Sequence, residues 1–495
     1  MKLKAILVLV TFFITIVGQA QVAVPGGFFH NLDLFNDSTT LTFHSSVQTE
    51  NVANAFDVLN PQTQFSINTN YPRGLNDGPV WKGKGLTSEI HAGVQGKIGV
   101  VSYTFYPVLY HSQNLQFDLA EQRVNGISPY GYQYGVGGGI DWVQRYGGSS
   151  FMAFHPGQSE LKLELGKFVT SLSTQNYSVG PSVFNPIILS RQGPGFPHFR
   201  LGSNPFDLKI KEINLGKLEA NFIVGFLKAS DHFDNNEDNN KSYFNALFLA
   251  YSPPFLKNAT LGINKALYKQ TSRYSAQDLL SVITVLDTVG PNDQFDQLAS
   301  ATLEWKFPEV GFRAYAEFAV NDFGGAAKWI EPEHSRAYTI GFEKLTQLKS
   351  GDSFVLIYEH TNLSRNHTYL WRAEPTFYVH SVNRQGYTNR GQLLGAGIGP
   401  GSNSDMGSLK FFTGKNTFGG CLQRIENNKD YFAVNIRDRF NHHIEYSGGL
   451  FYQREFDRYI ASAEAIFSRD NNRYYVLSDD HLNVYMSFKF IYKLN

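Results

Sequence analysis

The sequence contains little cysteine, methionine and charge. Its 495 residues include one cysteine, Cys421, and four methionines. A single cysteine excludes an internal disulfide and a Cys-x-x-Cys metal site. Charged residues make up 17% of the chain, below the roughly 25% of a soluble domain. The formal net charge is zero, so the charge balance gives no indication of nucleic-acid binding.

Long apolar runs are absent except at the start of the chain. Residues 1–20 have the pattern of a cleaved export signal: Lys2 and Lys4, then an apolar stretch, then small residues before an expected cut ahead of Gln21. No later window reaches the ~18 apolar residues that a membrane helix needs. We therefore expect an exported chain that, if it meets a membrane, does so without helices.

Aromatic residues and glycine are abundant instead. Aromatics make up 15% of the chain, and there are 45 glycines, which favours strands and turns over helices. From about residue 86 onward, apolar and polar residues alternate strictly, as in residues 298–307 and 482–494. Alternation with a period of two indicates strands with one apolar face.

These strands fit a membrane barrel better than a soluble sandwich. Their apolar faces run about ten residues, the length of a tilted membrane strand. Short turns alternate with longer polar connections, and the chain ends in an aromatic-rich amphipathic strand. About 22 residues per strand and connection give roughly 16 to 20 strands. We predict an all-β fold, a transmembrane antiparallel β-barrel of about 18 strands, located in the outer membrane.

The region before the barrel looks different. Residues 44–59 have apolar positions on one face of a possible helix, and the following residues are rich in turns. We predict a small N-terminal extension over residues 21–80 that plugs the periplasmic side. The barrel is then expected to span residues 81–495.

One stretch within the barrel region is unusually rigid. Residues 180–206 contain five prolines and four glycines around the apolar run Ile187 to Leu189. Proline removes ladder donors and glycine breaks both periodicities, so this stretch is neither helix nor regular strand. Fixed backbone angles matter where a loop must keep one shape. We predict a rigid loop folded into or over a larger body.

The sequence of this stretch resembles a segment of the capsule assembly protein Wzi family. In that family a Gly-Pro-rich turn is followed by Asn, an Ile/Leu-rich run ending in Ser, and a Pro-Gly-Phe-Pro-His-like turn. Residues 76–86, 331–344 and 378–401 are similar to segments of the same family. The resemblance implies an outer-membrane β-barrel that acts as a surface lectin. Such a protein holds capsular or another surface polysaccharide on the cell and is not an enzyme.

Sites for catalysis, metals or cofactors are not expected. The chain has no G-x-S-x-G, H-E-x-x-H or P-loop motif. A glycosidase-like pair of Glu317 with Asp322 is the weaker alternative to inward carboxylates paired with cations. A calcium site in residues 231–240 is the weaker alternative to a solvated loop. The histidines His198, His334 and His380 lack metal-like spacing and are interpreted as hydrogen-bonding residues of a polar lumen.

We predict a polysaccharide site built from arginines beside turns. An acidic glycan requires fixed cations, arginine offers two parallel donors per carboxylate, and an aromatic ring stacks on sugars. Besides the polysaccharide, the expected partners are outer-membrane lipid and the barrel-assembly machinery, with no nucleic acid, and the protein is expected to be a monomer. The predicted binding residues are Arg191, Gln192, His198, Arg200, Arg336, Arg384, Tyr387 and Arg390.

A general porin or narrow channel is the alternative function. Its filter would also use inward charged rings. The rigid Pro-Gly loops favour the binding protein, because a porin needs an open water path.

Overall fold

The computed structural model describes residues 40–45, 54–135, 138–285, 294–322, 329–331, 334–366 and 376–494. None of the helices in these ranges is long and apolar enough to cross a membrane. The helical segments are Glu237–Asn239, Thr271–Arg273, Ala276–Leu280, Ser281–Thr284, Pro308–Val310, Lys429–Asn435 and Arg473–Tyr475.

Strands dominate the described residues. In chain order they are β1 (Phe43–Ser45), β2 (Asp57–Asn68), β3 (Gly85–Ile98), β4 (Val101–Phe105), β5 (Val108–Ser112), β6 (Phe151–His155), β7 (Glu160–Leu165), β8 (Phe168–Ser173), β9 (Tyr177–Val179), β10 (His198–Ser203), β11 (Phe206–Ile210), β12 (Ile213–Lys228), β13 (Lys241–Ser252), β14 (Ala259–Gln270), β15 (Asp296–Phe307), β16 (Phe312–Asn321), β17 (Arg336–Gln347), β18 (Ser353–Asn362), β19 (Thr388–Asn389), β20 (Gln392–Leu393), β21 (Asn403–Thr413), β22 (Asn416–Glu426), β23 (Ile444–Glu455), β24 (Tyr459–Asn471) and β25 (His481–Tyr492).

Twenty-one of these segments form one closed antiparallel barrel. The segment pairs β4 and β5, β6 and β7, and β10 and β11 each continue a single wall strand, so the barrel has 18 strands, which confirms the predicted fold. Each interruption contains a proline, namely Pro107, Pro156 or Pro205. Proline has no N–H to donate to the ladder and so breaks the strand locally.

The barrel closes between its first and last strands. β2 pairs with β25 from Gln62 opposite Ile491 to Asn68 opposite Tyr485. Closure leaves no free sheet edge, which is the condition for a sheet to cross lipid.

Side chains alternate between the outer surface and the lumen, as the periodicity predicted. In β25, Leu482 and Phe488 are 70% and 49% exposed, whereas Asn483 and Ser487 are buried. Apolar residues therefore face outward and polar residues face inward, the arrangement of a barrel surrounded by lipid.

The two ends of the barrel differ. Turns of two residues, such as residues 99–100, 166–167 and 414–415, lie at the end that also carries the start of β2 and the end of β25. The opposite end carries the long connections, which include residues 113–150, 174–197 and 363–402. Outer-membrane barrels place short turns in the periplasm and long connections outside. We therefore name the end with the long connections the external end.

Residues 174–197, here named the inner loop, fold into the lumen. The backbone N–H of Val183 donates to Glu359 on β18 at 2.7 Å, and that of Ile187 donates to Glu317 on β16 at 3.0 Å. Both carboxylates point inward from the wall, and both are fully or almost fully buried. The rigid stretch is thus held inside the barrel, as its composition suggested.

A buried arginine fixes the same loop from the wall. Arg313 on β16 donates to the carbonyl oxygen of Pro181 at 2.7 Å and pairs with Glu304 at 3.1 Å. The guanidinium is fully buried. A charge buried in this way requires its partners, so Arg313 holds the loop to the barrel.

Residues 40–45 also enter the lumen. β1 pairs with β9 of the inner loop, and the N–H groups of Leu41 and Thr42 donate to Glu219 on β12 at 2.7 and 3.1 Å. Residues 1–39, which contain the predicted export signal, lie outside the described residues.

The barrel begins before residue 81, because β2 is already a wall strand. Residues 46–53 of the expected helix lie outside the described residues, and the helix prediction is wrong for His44 and Ser45 and for Asp57 to Leu59, which are strand. The sequence signal was weak for two reasons. Most inward residues of β2 are polar, and the register shifts between Leu59 and Gln62, where Pro61 interrupts the alternation.

Candidate functional site

Two of the segments that resemble Wzi-family sequences, residues 180–206 and 378–401, pack against each other in the lumen. The rings of Tyr378 and Tyr387 stack at 5.6 Å with an interplanar angle of 12°. Their hydroxyl groups donate to the carbonyl oxygens of Ile187 and Ile188 at 2.7 and 2.8 Å. Tyrosine combines a large apolar ring with one polar contact, so these two residues join the inner loop to the connection after β18.

Tyr387 departs from its predicted role. It is fully buried, with Tyr378 against one side and Tyr268 at 5.6 Å. A ring enclosed in this way has no free face for a sugar. Tyr387 therefore belongs to the packing of the lumen.

Arg191, His198 and Arg200 lie around β1. Arg191 donates to the carbonyl oxygen of Ser45 at 3.4 Å, and burial lowers its pKa to about 9. Arg200 donates to Asn221 at 2.8 Å and lies 4.7 Å above the ring of Phe43. The Nδ1–H group of His198 donates to the carbonyl oxygen of Phe196 at 2.7 Å.

The other four predicted residues lie elsewhere. Gln192 accepts a hydrogen bond from the N–H of Asn76 at 2.9 Å. Arg384 lies beside Gly138, and the carbonyl oxygen of Arg390 accepts a hydrogen bond from Tyr146. Arg336 lines a separate groove. The structure thus brings three of the eight residues together at β1 and distributes the rest.

A cavity of about 300 Å³ lies among the external connections. This volume falls at the lower end of the range for small-ligand sites. Of the predicted residues, only Gln192 lines it. Its aromatic lining comes from three connections, those after β2, β5 and β24, and consists of Tyr71, Trp81, Phe117, Tyr132, Tyr134, Trp142, Tyr474 and Tyr475.

Amides and hydroxyls fill the spaces between these rings. Polar side chains that can each donate and accept surround the cavity, which is the requirement for recognising hydroxyl groups. This part of the lining consists of Gln144, Asn185, Gln192, Gln392, Ser402, Gln423, Asn427 and Asn428.

The charges of the cavity compensate one another. Burial is the largest influence on Lys82 and opposes its charged form, but Asp77, Tyr485 and Glu89 together outweigh burial and raise the lysine pKa. The charged lining forms three ion pairs, with N–O distances of 3.1 Å for Arg73–Glu445, 2.7 Å for Lys82–Asp77 and 3.6 Å for Arg473–Asp470. The site therefore offers oriented donors and acceptors without an excess of either charge.

Backbone constraints shape the wall near Trp142. Gly399 has a φ of +95°, and a Cβ atom there would lie 2.3 Å from the Trp142 ring. Tyr474 and Tyr475 have φ values of 57° and 63°. Non-glycine residues in this region cost energy and cluster at functional sites. The strain at these two tyrosines adds to the evidence that this cavity is functional.

Sequence reasoning missed this cavity, because its residues come from distant connections. Two local signals existed. Residues 76–86 already resembled the family, and they contribute Asp77, Trp81 and Lys82. The consecutive Arg473, Tyr474 and Tyr475 form the second signal, an aromatic and cationic cluster in a turn.

Glu317 serves the inner loop, so the glycosidase-like pair has little support. Its carboxylate accepts from Ile187 and is buried. In the Asp/Asn-rich loop, Asp234 accepts from the N–H of Asn236 at 3.0 Å and from the Asn239 amide at 2.9 Å. These contacts account for both Asp234 oxygens without an ion.

Asp296, Asp322 and His380 bring possible ligand atoms within 4.8 Å of one another. The Nδ1 atom of His380 accepts from the N–H groups of Val382 and Asn383 at 3.2 and 3.0 Å. In the neutral ring the proton is then on Nε2. A metal-bound imidazole instead donates its second nitrogen's proton to a neighbour. The arrangement fits a hydrogen-bonded cluster better than a metal site.

Asp141 joins three external connections and makes their contact sensitive to pH. It accepts from Ser230 N–H at 2.6 Å and from Gly391 N–H at 3.1 Å. Burial is the largest cause of its raised pKa, which moves from 3.8 to about 7. A raised carboxyl pKa means that the folded state binds the extra proton, so the contact weakens as pH rises from about 4 to 7.

We expect hydrogen exchange at Ser230 and Gly391 to accelerate between about pH 4 and 7, after correction for intrinsic exchange. Each unit by which the Asp141 pKa is raised corresponds to about a tenfold change in the opening equilibrium that controls exchange. The Asp141→Asn variant should lose this pH dependence. Equal pH dependence in the variant and the wild type would show that another group controls the contact.

No protein-family model matches the chain, and no curated protein matches it in sequence. Among solved structures it is similar to Wzi of Escherichia coli, described as a carbohydrate-binding β-barrel of the outer membrane involved in group 1 capsule assembly. The TM-score is 0.57 at 11% identity, with 87% of this chain and 83% of Wzi covered.

Two further solved structures are less similar. OccAB2 of Acinetobacter baumannii has a TM-score of 0.43 at 11% identity, covering 90% of this chain and all of its own. OprD of Pseudomonas aeruginosa has a TM-score of 0.41 at 9% identity, covering 94% and 100%. At these identities the likeness concerns the fold alone: the chain has the architecture of an outer-membrane β-barrel.

Proposed function

We propose that this chain is an outer-membrane protein that binds a surface polysaccharide in the cavity at its external end and retains it on the cell. The observation that carries the proposal is the lining of that cavity. Aromatic rings offer apolar faces to sugar rings, and neighbouring amides offer paired donors and acceptors to hydroxyl groups. The fold shared with Wzi is consistent with this function.

The charge balance of the cavity narrows the ligand class. An acidic glycan needs an excess of fixed cations, whereas each of the three cations here faces a carboxylate. We therefore propose an uncharged, hydroxyl-rich part of the polymer as the bound segment. A cavity of about 300 Å³ admits a short segment of such a chain.

The filled lumen favours binding over diffusion. The inner loop is held to Glu317 and Glu359, and the aromatic pair Tyr378 and Tyr387 packs against it. A general porin requires a continuous water path. The inner loop and the two tyrosine rings occupy the space through which such a path would run.

Trp142→Ala tests the cavity. An aromatic contact contributes about 0.5–1.5 kcal/mol. Removing the Trp142 ring should therefore weaken binding of neutral oligosaccharides roughly two- to tenfold. The measurement is calorimetric titration with fragments of the cell's own surface polysaccharide, together with the ratio of cell-bound to shed polymer. Trp305→Ala is the matched control, because Trp305 lies on the outer face of β15 and is 37% exposed.

Unchanged binding by a folded Trp142→Ala protein would contradict the assignment to this cavity. The arginines predicted from the sequence stay a prediction and form a second comparison. If Arg384 and Arg390 contribute, their double replacement by alanine should also reduce retention. Loss in that variant with normal binding by Trp142→Ala would move the site to the arginines.

A further inference from the structure

The connection between β14 and β15 folds back over the outer surface of the barrel wall. Its described part that follows β14, residues 271–285, is here named the outer flap. Val282 of the flap packs with Leu267 of β14 in one buried apolar cluster. Leu267 points outward, because side chains alternate along a strand and the adjacent Tyr268 packs on Tyr387 in the lumen. The outer flap therefore lies on the side of the wall that faces lipid.

The wall beneath the outer flap departs from the apolar pattern of the outer surface. In the ladder, Leu267 lies opposite Asn245 on β13 and opposite Gln297 on β15, so both polar side chains share its outward direction. Both are fully buried. The same row continues on β12 and β10 as the apolar Val224 and Phe199. Polar groups in contact with hydrocarbon are costly, so this part of the wall requires a cover.

The outer flap supplies that cover and bonds to the polar side chains. The N–H of Val282 donates to the side-chain oxygen of Asn245 at 2.8 Å, and the Lys265 ammonium donates to the carbonyl oxygen of Val285. Lys265 lies roughly 16 Å along β14 from its external end at Gln270, since each residue advances a strand by about 3.3 Å. The outer flap thus extends well below the external rim of the barrel.

Contacts near the rim fix the beginning of the outer flap. The Tyr243 hydroxyl donates to the carbonyl oxygen of Asp278 at 3.0 Å, and the Asp278 carboxylate pairs with Lys269 at 2.5 Å. The Lys269 ammonium also lies 4.4 Å from the centre of the Phe295 ring. Polar contacts therefore hold the outer flap to the wall at two depths.

The side of the outer flap that is turned away from the wall is apolar. Leu279, Leu280 and Ile283 are 47%, 51% and 55% exposed and lie in two consecutive helical segments. Helical turns pair backbone groups locally, as where the N–H of Val285 donates to the carbonyl oxygen of Ser281 at 2.8 Å. Backbone that meets lipid must be satisfied internally, so this side is suited to contact with hydrocarbon.

The lipid-facing wall continues directly from the outer flap. On β14, the next outward positions below Lys265 are Ile263 and Leu261, which are 62% and 43% exposed. Outward apolar residues at such positions meet the acyl chains of the membrane. Because Val285 contacts Lys265 at the edge of this surface, the acyl chains that cover Ile263 also reach the outer flap. This continuity identifies hydrocarbon as the occupant of the exposed side.

We propose that the outer flap is immersed in the outer leaflet, with the side chains of Leu279, Leu280 and Ile283 among acyl chains close to the headgroups. Amphipathic segments take this position at the boundary of a membrane. The polar side shields Asn245 and Lys265 from hydrocarbon, and the apolar side holds the external end of the barrel at a fixed depth. This role does not depend on the ligand of the cavity.

Nitroxide labels on the full-length barrel in phosphatidylcholine vesicles test the proposal. Single label sites are Ile283→Cys in the outer flap, Ile263→Cys on the lipid-facing wall and Asp238→Cys in another external connection, where Asp238 is exposed. Each carries Cys421→Ser, which removes the native thiol. Molecular oxygen collides with labels in hydrocarbon, whereas a polar nickel chelate is excluded from it. The ratio of oxygen to chelate collisions at residue 283 should match that at residue 263 and exceed that at residue 238 at least about tenfold.

A ratio at residue 283 equal to the ratio at residue 238 would overturn the proposal, because the outer flap would then lie in water. A label at residue 283 that is shielded from both reagents, with dipolar broadening that disappears on dilution with unlabelled protein, would overturn it in favour of a second copy of the chain. Leu280→Cys is a second label site with the same expected result, for use if Ile283→Cys fails to assemble. A gel comparing boiled with unboiled protein shows whether each barrel is folded.

Discussion

Planar bilayers containing the wild-type protein should show almost no steady conductance, whereas a barrel without its inner loop should conduct. The proposed variant replaces residues 175–196 with a short glycine-rich turn. The ends of the loop are adjacent, because Ser173 lies opposite His198 in the ladder. An empty 18-strand barrel is wide enough for an aqueous channel. In the variant, Tyr378 and Tyr387 lose their partners Ile187 and Ile188 in the inner loop, so conductance should rise on the order of tenfold or more.

A milder variant weakens the attachment of the inner loop without removing the loop. Glu359 accepts backbone hydrogen bonds from Val183 and Asn185, both at 2.7 Å. In Glu359→Ala these N–H groups lose their acceptor, and buried unsatisfied groups cost about 1–3 kcal/mol each. We expect brief openings and a noisy current instead of a stable open channel.

The matched control replaces residues 235–238, an exposed part of another external connection, with glycine and serine. This change should leave conductance at the wild-type level. Heat-modifiable migration on a gel shows whether each barrel assembles. A wild-type protein with large, constantly open channels would contradict the filled lumen and support the porin alternative.

The sequence predicted the wall of the barrel well, since lipid imposes a period that each strand must obey. The alternation of residues 482–494 identified β25 together with its outward face. The rigid composition of residues 180–206 predicted a loop with one fixed shape. Proline and glycine act locally, so this property is visible without knowledge of the partners.

The first wall strand could not be recognised in this way. Gln62, Gln64 and Ser66 face a lumen filled by protein, where polar side chains find partners. Gln64, for example, donates to Ser487 on β25 at 2.9 Å. A strand with so little apolar surface has no clear period, and its identity depends on a partner more than 400 residues later.

The site was predicted less well, because local arginines can serve structure as readily as binding. Arg191 and Arg200 contact backbone or amide oxygens near β1, which the sequence could not show. The cavity depends instead on residues such as Tyr71, Trp142 and Tyr475, brought together by closure of the barrel. Such long-range juxtaposition leaves almost no pattern in a single sequence.

Replacing one carboxylate should convert the cavity from a neutral-sugar site to one that prefers acidic sugars. Glu445 pairs with Arg73 at 3.1 Å, and Arg73 also donates to Gln423 at 2.9 Å and Ser447 at 3.0 Å. In Glu445→Gln, the two neutral partners still hold the guanidinium in place. Its charge is then available to a ligand carboxylate.

The measurement is the ratio of the affinities for matched neutral and uronic-acid oligosaccharides, each determined by titration. A buried charge mismatch costs several kcal/mol, and about 1.4 kcal/mol corresponds to tenfold. Wild type should therefore prefer the neutral ligand, and Glu445→Gln should shift the ratio toward the acidic one by about tenfold or more. Glu455→Gln is the matched control, since Glu455 pairs with Lys493 at the short-turn end. A wild type that already prefers the acidic ligand would contradict the neutral-glycan proposal, and an unchanged ratio in Glu445→Gln would show that the ligand does not approach Arg73.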